Sequence, residues 1–480
     1  MTAMTAKFRN LSTPLVLGVA GVLGVLGTFL LDLALLAPAA LSIGVAVACV
    51  AGVLLTASGE GESSALRRGL VAPTSLVLAV VTGLLTGVIA DLWLIEPVAY
   101  ALGALAGSLA GPLLYRRMAT TLALAFVAVA VAGVLAFALT ALVLVATGVD
   151  PVYTFGRMLS YGSEPNSVVT VINTGTTYYL SAVAVAIGFK MKLFNIGVDG
   201  QYRLAALLAA AAGAAWALPP VLHQIAILLV AVAVGGVWAG IAGYLKVARG
   251  VSEVISTIML NSIATGITAY LLSTDRLAVN IGSNNIGTAP IPESGWIPGI
   301  PTEFMGAGRP IFGLTLLAVA VGVGYWALLN RTRFGFDLRA TGQSASAAEA
   351  SGVNVRRMVV ASMVISGMVA GLVGMPQLLG DSHYYALDFP VGLGFTGIAI
   401  ALLGRNHPAG IAFAALFWAF LNQSSQILDI DGIPKEIAVV TQATIVLTVV
   451  VVYELVHRWG RRYEQQQVGR ELGRVKVATS

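Results

Sequence analysis

The residues able to do chemistry gather in a few places. The oddest is Phe194-Asn195-Ile196-Gly197-Val198-Asp199-Gly200-Gln201-Tyr202-Arg203, where two glycines flank a carboxylate between apolar runs. One of those runs, residues 203–218, is short for a bilayer crossing, which takes about 20 apolar residues. Two readings fit. In one, a helix is broken at membrane depth, where unwound backbone is tolerated only if protein buries it or it lines a cavity. Asp199 is then functional, because ionisable groups in such places are costly. In the other, the segment is a plain turn after Lys190 and Lys192, with Asp199 as a helix N-cap.

Glu253 opens the run 251–261. A carboxylate in the first helical turn is favoured by the helix dipole, and Ser252 can cap. Asn261 lies about two turns deeper and needs a partner, either along a polar path or across to another helix, the commoner use. In the polar, Arg-rich stretch 331–352, Ser346 and Glu349 stand at capping-box spacing and Gly352 suits the C′ position. One or two turns of surface helix are expected there, with small side chains that fit a groove on a partner protein; the alternative is a solvated connector. Gly392-Leu-Gly394-Phe-Thr-Gly397 matches the dinucleotide fingerprint by letter, but that motif needs a preceding strand, and apolar spans flank it here. A kinked or discontinuous helix is expected instead.

Other chemistry is missing its residues. None of the six Lys follows a Gly, so the phosphate-cradling G-x-x-x-x-G-K-[ST] is absent, as are H-E-x-x-H and G-x-S-x-G. The four His are scattered and Cys49 is alone, so neither a metal site nor an intrachain disulfide is expected. No catalytic residue and no cofactor held by this chain is expected.

The elements that position these residues are membrane helices. Of the 480 residues 58% are hydrophobic and 10% charged, against about 25% charged in soluble domains. With a mean hydropathy of +0.88, lipid must solvate most of the side chains. A soluble enzyme, a disordered hub and a nucleic-acid-binding module are excluded. Between Pro14 and Ser58 the only charge is Asp32, too long a stretch for a signal-peptide core, and it reads as an uncleaved anchor. Continuing to residue 456, apolar runs add up to about 14 spans. Alternating them from a cytoplasmic N-terminus sorts twenty-two basic residues inside and four outside, with Arg203 unassigned. Both termini are therefore expected in the cytoplasm. Residues 273–310, broken by five prolines, are expected as a long outside segment. Gly236-x-x-x-Gly240 and Gly367-x-x-x-Gly371 read as close helix packing.

Five ordered blocks carry a resemblance. Phe194–Gln201 is similar to the "FNIGxEGQ" signature of inner-membrane permeases of ABC importers for nucleosides and simple sugars, the branched-chain amino acid/ribose-type family. Residues 251–261 resemble that family's "hEvIxTlMlN" helix, 333–352 its "GfxLRAxGxxxxAAxxxG" loop, 365–374 its "iSGxxAGlxG" helix and 394–404 its "GFdGIAVALLG" block. The nucleoside-uptake permeases are the subfamily most resembled. Asp199 stands where Glu is usual, and Thr396 where Asp is usual.

The resemblance implies an all-α polytopic fold with a broken or re-entrant helix. The resemblance covers a ten-span permease core (119–456). The sequence departs from it in about four spans ahead of that core (1–118), which nothing in the resemblance explains and which are expected to be accessory; a basic cytoplasmic tail (457–480) follows. The resemblance implies a permease subunit of an ATP-driven importer, not itself an enzyme, with ATP–Mg on separate ATPase subunits. The other implied partners are a second permease subunit (homologous or identical), an extracytoplasmic solute-binding lipoprotein and membrane lipid, with no nucleic acid. Coupling to the ATPases is implied for Arg339, Gly342, Ala347, Ala348, Glu349 and Gly352. The solute path is implied beside Asn195, Asp199, Gln201, Glu253, Asn261, Gln377, Phe395 and Thr396; a neutral nucleoside needs hydrogen bonds and stacking more than charge pairing. The alternative is an ion-coupled secondary transporter of a small polar solute, with Asp199 and Glu253 as coupling carboxylates. A membrane-embedded enzyme lacks any nucleophile or paired-carboxylate constellation.

Overall fold

The computed structural model describes residues 139–451, apart from residues 146, 283–284, 435, 438, 445 and 449–450. The first spans, Cys49 and the tail 457–480 lie outside the described residues. Thr140–Val446 form one compact unit.

Helices dominate that unit, as chain of this hydropathy requires: in lipid each backbone N–H and C=O must find a partner within the protein. They are α1 (Pro151–Gly162), α2 (Pro165–Phe189), α3 (Val198–Ala215), α4 (Leu222–Arg249), α5 (Glu253–Leu271), α6 (Thr315–Arg331), α7 (Arg333–Gln343), α8 (Ala345–Ala350), α9 (Val355–Gly371), α10 (Leu393–Leu403), α11 (Pro408–Ser424) and α12 (Gln426–Ile430). Among the described residues five helical stretches are long and apolar enough to cross a membrane: α2, α4, α5, α9 with its continuation to Ser382, and α11 with α12. α6 and α10 are shorter apolar helices.

One end of the unit is basic. Lys190 and Lys192 follow α2, Lys246 and Arg249 close α4, Arg331 closes α6 and Arg405 follows α10. At the opposite end α1 is capped by Asp150, whose Oδ1 accepts from Val152 N at 2.8 Å, with Pro151 in the position where its missing N–H costs nothing. Arg157 of α1 pairs there with Asp431 at 2.8 Å, and the pair holds that carboxyl below its ordinary range.

The reading of an all-helical chain needs one correction. Residues 273–310 contain a small antiparallel hairpin, β1 (Ala278–Gly282) with β2 (Asn285–Thr288). Strands this short offer too few alternations to register as a period. The hairpin and the Pro-rich segment after it are strapped to the turn beyond α9: Thr288 N donates to Tyr385 O at 2.8 Å, Ile291 N to His383 O at 2.8 Å and Ile297 N to Leu379 O at 2.9 Å. The Trp296 ring stacks on His383 at 3.9 Å.

The central contact is α4 against α9. A Cβ on Gly367 would overlap the Gly235 carbonyl and the Ala239 methyl, and one on Gly371 would overlap the Ala231 carbonyl. The helices therefore touch backbone to backbone, the use of small residues expected where lipid removes the hydrophobic drive. Gly367→Val should destabilise the protein by about 3 kcal/mol, because the clash is with backbone that cannot rotate away. Gly324, whose added Cβ would meet nothing within 4 Å, is the control. Equal unfolding midpoints in detergent for Gly367→Val and Gly324→Ala would remove the packing claim.

Candidate functional site

After α2 the chain turns at the basic end and runs non-helically through residues 190–197 before α3 begins at Val198. Sequence alone left a broken helix and an Asp199-capped turn open. The N-cap is Gly197, with no side-chain cap, so Asp199 does not hold that role and lies in the first turn. Asn195 and Gln201 are both 1% exposed. Their amides pair reciprocally: Asn195 Nδ2 donates to Gln201 Oε1 at 3.1 Å, and Gln201 Nε2 donates to Asn195 Oδ1 at 2.9 Å. Asn195 Nδ2 also donates to Ser366 Oγ at 2.8 Å, and Asn195 Oδ1 accepts from Gly197 N at 3.1 Å. Ser366 Oγ in turn donates to Ala184 O at 2.6 Å, tying α9 and α2 into the same cluster. Both hydrogens and both lone pairs of the Asn195 amide are thus engaged.

Asn261 bridges helices. Its Nδ2 donates to Ile196 O at 2.8 Å, in the stretch before the helix, and its Oδ1 accepts from Gly200 N at 2.9 Å, a donor that the helix start leaves open. Gly200 is required by this approach, since an added Cβ would lie 2.9 Å from Asn261 Cα. Ser252 is the N-cap of α5 but makes no side-chain cap bond. Glu253 beside it pairs with Lys246, and its other oxygen accepts from Phe194 N at 3.4 Å. One carboxylate therefore joins α4, α5 and the entry to the non-helical stretch.

A second helix starts in the interior. Gly392, at φ +81°, precedes α10, and Gly394 N donates to Asp199 Oδ1 at 3.3 Å. A Cβ on Gly394 would lie 2.6 Å from Asp199 N. Ser181 Oγ donates to Leu393 O at 2.7 Å, and Tyr202 OH to Pro390 O at 2.5 Å. The eleven residues of α10 reach only about 16 Å from the basic end. Asp199 thus lies between two helix N-termini, whose dipoles favour negative charge. Phe395 on the next position of α10 is 57% exposed, and Thr396 is half-buried with its hydroxyl donating to Gly392 O at 3.2 Å.

At the basic end, α7 folds over the end of α2, and α8 follows it. A Cβ on Gly342 would overlap the Lys190 carbonyl, so α7 rests directly on that backbone. The Arg339 guanidinium donates to Leu329 O. Burial, with Arg339 and Arg405 nearby, lowers the Lys190 pKa below its ordinary value. The capping-box expectation at Ser346 is corrected: the N-cap of α8 is Ser344, whose Oγ accepts from Ala347 N at 3.3 Å. The C-terminal expectation matches the geometry. Gly352 is left-handed at φ +86°, with Gly352 N donating to Glu349 O at 2.9 Å and Val353 N to Ala348 O at 3.0 Å, a Schellman stop. Ala348 is buried beneath the helix, while Ala347, Glu349 and Gly352 are exposed.

The structure therefore brings Asn195, Asp199, Gln201, Glu253, Asn261, Phe395 and Thr396 into one neighbourhood, and Arg339, Gly342 and α8 into another. Gln377 is in neither; it lies half-buried in the continuation of α9, its carbonyl accepting from Ser382 Oγ at 3.3 Å. Sequence reasoning missed Ser181, Ser366 and Lys246. The signal for Ser366 was its place in an otherwise apolar span, where a hydroxyl needs a partner.

A bundle of apolar helices with two helix starts meeting in its interior, and a short exposed helix at its basic end, defines a multi-pass membrane protein with a polar interior. Residues 167–453 match the family described as branched-chain amino acid transport system / permease component, and the chain belongs to it. It is 36% identical over 282 residues to the guanosine ABC transporter permease protein NupP of Bacillus subtilis, covering 58% of this chain and 80% of that one. It is 30% identical over 325 residues to the glucose ABC transporter permease protein TsgB13 of Haloferax volcanii, covering 65% and 83%. With the nucleoside ABC transporter permease protein NupB of Lactococcus lactis it shares 28% over 337 residues, covering 67% and 89%. No solved structure matches the chain.

Proposed function

We propose that this chain is the membrane subunit of an ATP-driven importer of nucleosides, lying in the cytoplasmic membrane with its basic end and both termini inside. The observation that carries the coupling is the backbone contact of Gly342 on Lys190, which links the exposed α8 to the stretch leading into the interior cluster. ATPase subunits, holding ATP–Mg, dock on α8 and move α7 against the end of α2. ATP can shift the permease only through contacts that differ between its two states, and this junction supplies them. A second permease subunit completes the path, and a solute-binding lipoprotein delivers from outside. Residues 1–118 are accessory to the core.

Within the path, Asp199, Phe395 and Thr396 face the solute, with Gln377 further along. Asn195, Gln201 and Asn261 hold the wall in shape, and the Glu253–Lys246 pair latches its inner end. Nucleosides are favoured by the guanosine and nucleoside permeases among the relatives. The test is uptake of labelled guanosine, uridine and glucose by proteoliposomes holding the chain with its ATPases, partner permease and binding protein. ATP-dependent nucleoside uptake is the expected result. Uptake by this chain alone under a proton or Na⁺ gradient, without ATP, would replace the reading with the ion-coupled one; uptake of glucose alone would move the substrate class to sugars.

A further inference from the structure

Arg203 belongs to no function assigned so far. It sits one turn beyond Asp199 on α3, half-buried, and its Nη1 donates to Thr265 Oγ1 at 3.3 Å. Its guanidinium also faces the Tyr385 hydroxyl. Its Nε is buried and has no partner among the described residues. The two ion pairs among those residues are Arg157–Asp431 and Lys246–Glu253, so no carboxylate there lies within 4.0 Å of Arg203. Thr265 is twelve residues along α5 from Glu253, about 18 Å from the basic end and so near the middle of a core about 30 Å thick. A cation at that depth is expensive to hold and marks a pathway. Buried donors are nearly always bonded, so an unpartnered one in the interior calls for an explanation.

We propose that Arg203 is a solute-contacting residue that reads the edge of the base, so that the transporter favours 6-oxopurine nucleosides over 6-aminopurine ones. This rests on the nucleoside reading above. The guanidinium is a planar fork of donors, and the O6 and N7 atoms of a 6-oxopurine are two adjacent acceptors that match it. Adenine sets an N6 donor beside N7 and faces the fork donor to donor. Asp199 lies one turn away on α3, so an acidic and a basic residue flank the same locality, which suits an uncharged solute. Phe395, next to Gly394 and exposed, offers a flat face for the ring.

The test compares inosine with adenosine in proteoliposomes of the complete transporter, for wild type, Arg203→Gln and Arg203→Lys. The same binding protein delivers in every arm, so its own selectivity cancels in the ratio between variants. Arg203→Lys keeps the charge and loses only the fork, which covers the case in which Arg203→Gln does not fold; size-exclusion elution checks both. The kcat/KM for inosine should fall by about 10- to 100-fold, mostly through KM, and that for adenosine by less than about threefold. Equal losses for both nucleosides make Arg203 structural and overturn the assignment, as does no change in either. If wild type takes up neither purine nucleoside nor uridine, the nucleoside reading falls and this one with it; if it takes up uridine alone, this one falls alone. If wild type takes up both and the ratio stays fixed in the variants, this one falls alone.

Discussion

Glu349→Arg is expected to lower ATP-driven uptake by about 10- to 100-fold while the protein inserts and folds normally and the ATPases continue to hydrolyse ATP. The carboxylate is exposed on α8, so reversing its charge disturbs no interior packing. Under the proposed docking on α8 it replaces a carboxylate with a cation at the contact, and mismatched charge across an interface can cost several kcal/mol. The proposed transmission through α8 requires a stiffly held helix, and Ala348 anchors it from below while the left-handed Gly352 ends it. Gly342→Val tests the next link. Its side chain would overlap the Lys190 carbonyl, lift α7 from the end of α2 and uncouple in the same way, with Glu349 itself intact. Measuring uptake and ATP hydrolysis in the same proteoliposomes separates the two. Wild-type uptake in Glu349→Arg would remove the coupling role of α8.

Asn195→Leu should cost about 3 kcal/mol of stability. It strands both ends of the Gln201 amide and the Gly197 N–H in the interior, and each orphaned group costs about 1–3 kcal/mol, offset where the unfolded chain in the membrane finds other partners. Ser366 keeps its bond to Ala184 O and adds little. The double variant Asn195→Leu/Gln201→Leu removes both amides together and should cost at least about 1 kcal/mol less than the sum of the single changes. Unfolding in detergent for the four proteins gives the cycle. Additive single effects would mean that the two amides do not depend on each other, against the reciprocal pair in the structure.

The long helices were readable from hydropathy because burial in lipid leaves a continuous apolar run. The apolar runs at 167–189, 221–245 and 252–272 in the sequence fold as the helices Pro165–Phe189, Leu222–Arg249 and Glu253–Leu271. Where the chain departs from a simple crossing, hydropathy misleads, since it reports which side chains avoid water and not the path of the backbone. The run 389–404 reads as a span, yet its helix begins only at Leu393. The short run 203–218 has its helix start earlier, at Val198, because Asn261 and Gly197 supply partners for an interior start. Ser346 alone has Glu three residues on, but a serine caps without that partner, and the extended backbone at Ser344 makes it the cap of α8.

Composition, periodicity and ordered motifs were enough to establish a membrane bundle, its helices and the two stretches where polar residues concentrate. Those properties are local: each depends on neighbours within a few turns. Which polar groups meet is another matter. Asn195 finds Ser366 across 171 residues and Asp199 finds Gly394 across 195, so each pairing follows from how whole helices pack and leaves no trace in either segment alone. For the same reason Asn195 could be read from its chain neighbours as a group open to solute, whereas the folded protein has already spent all its hydrogen bonds on holding the wall together.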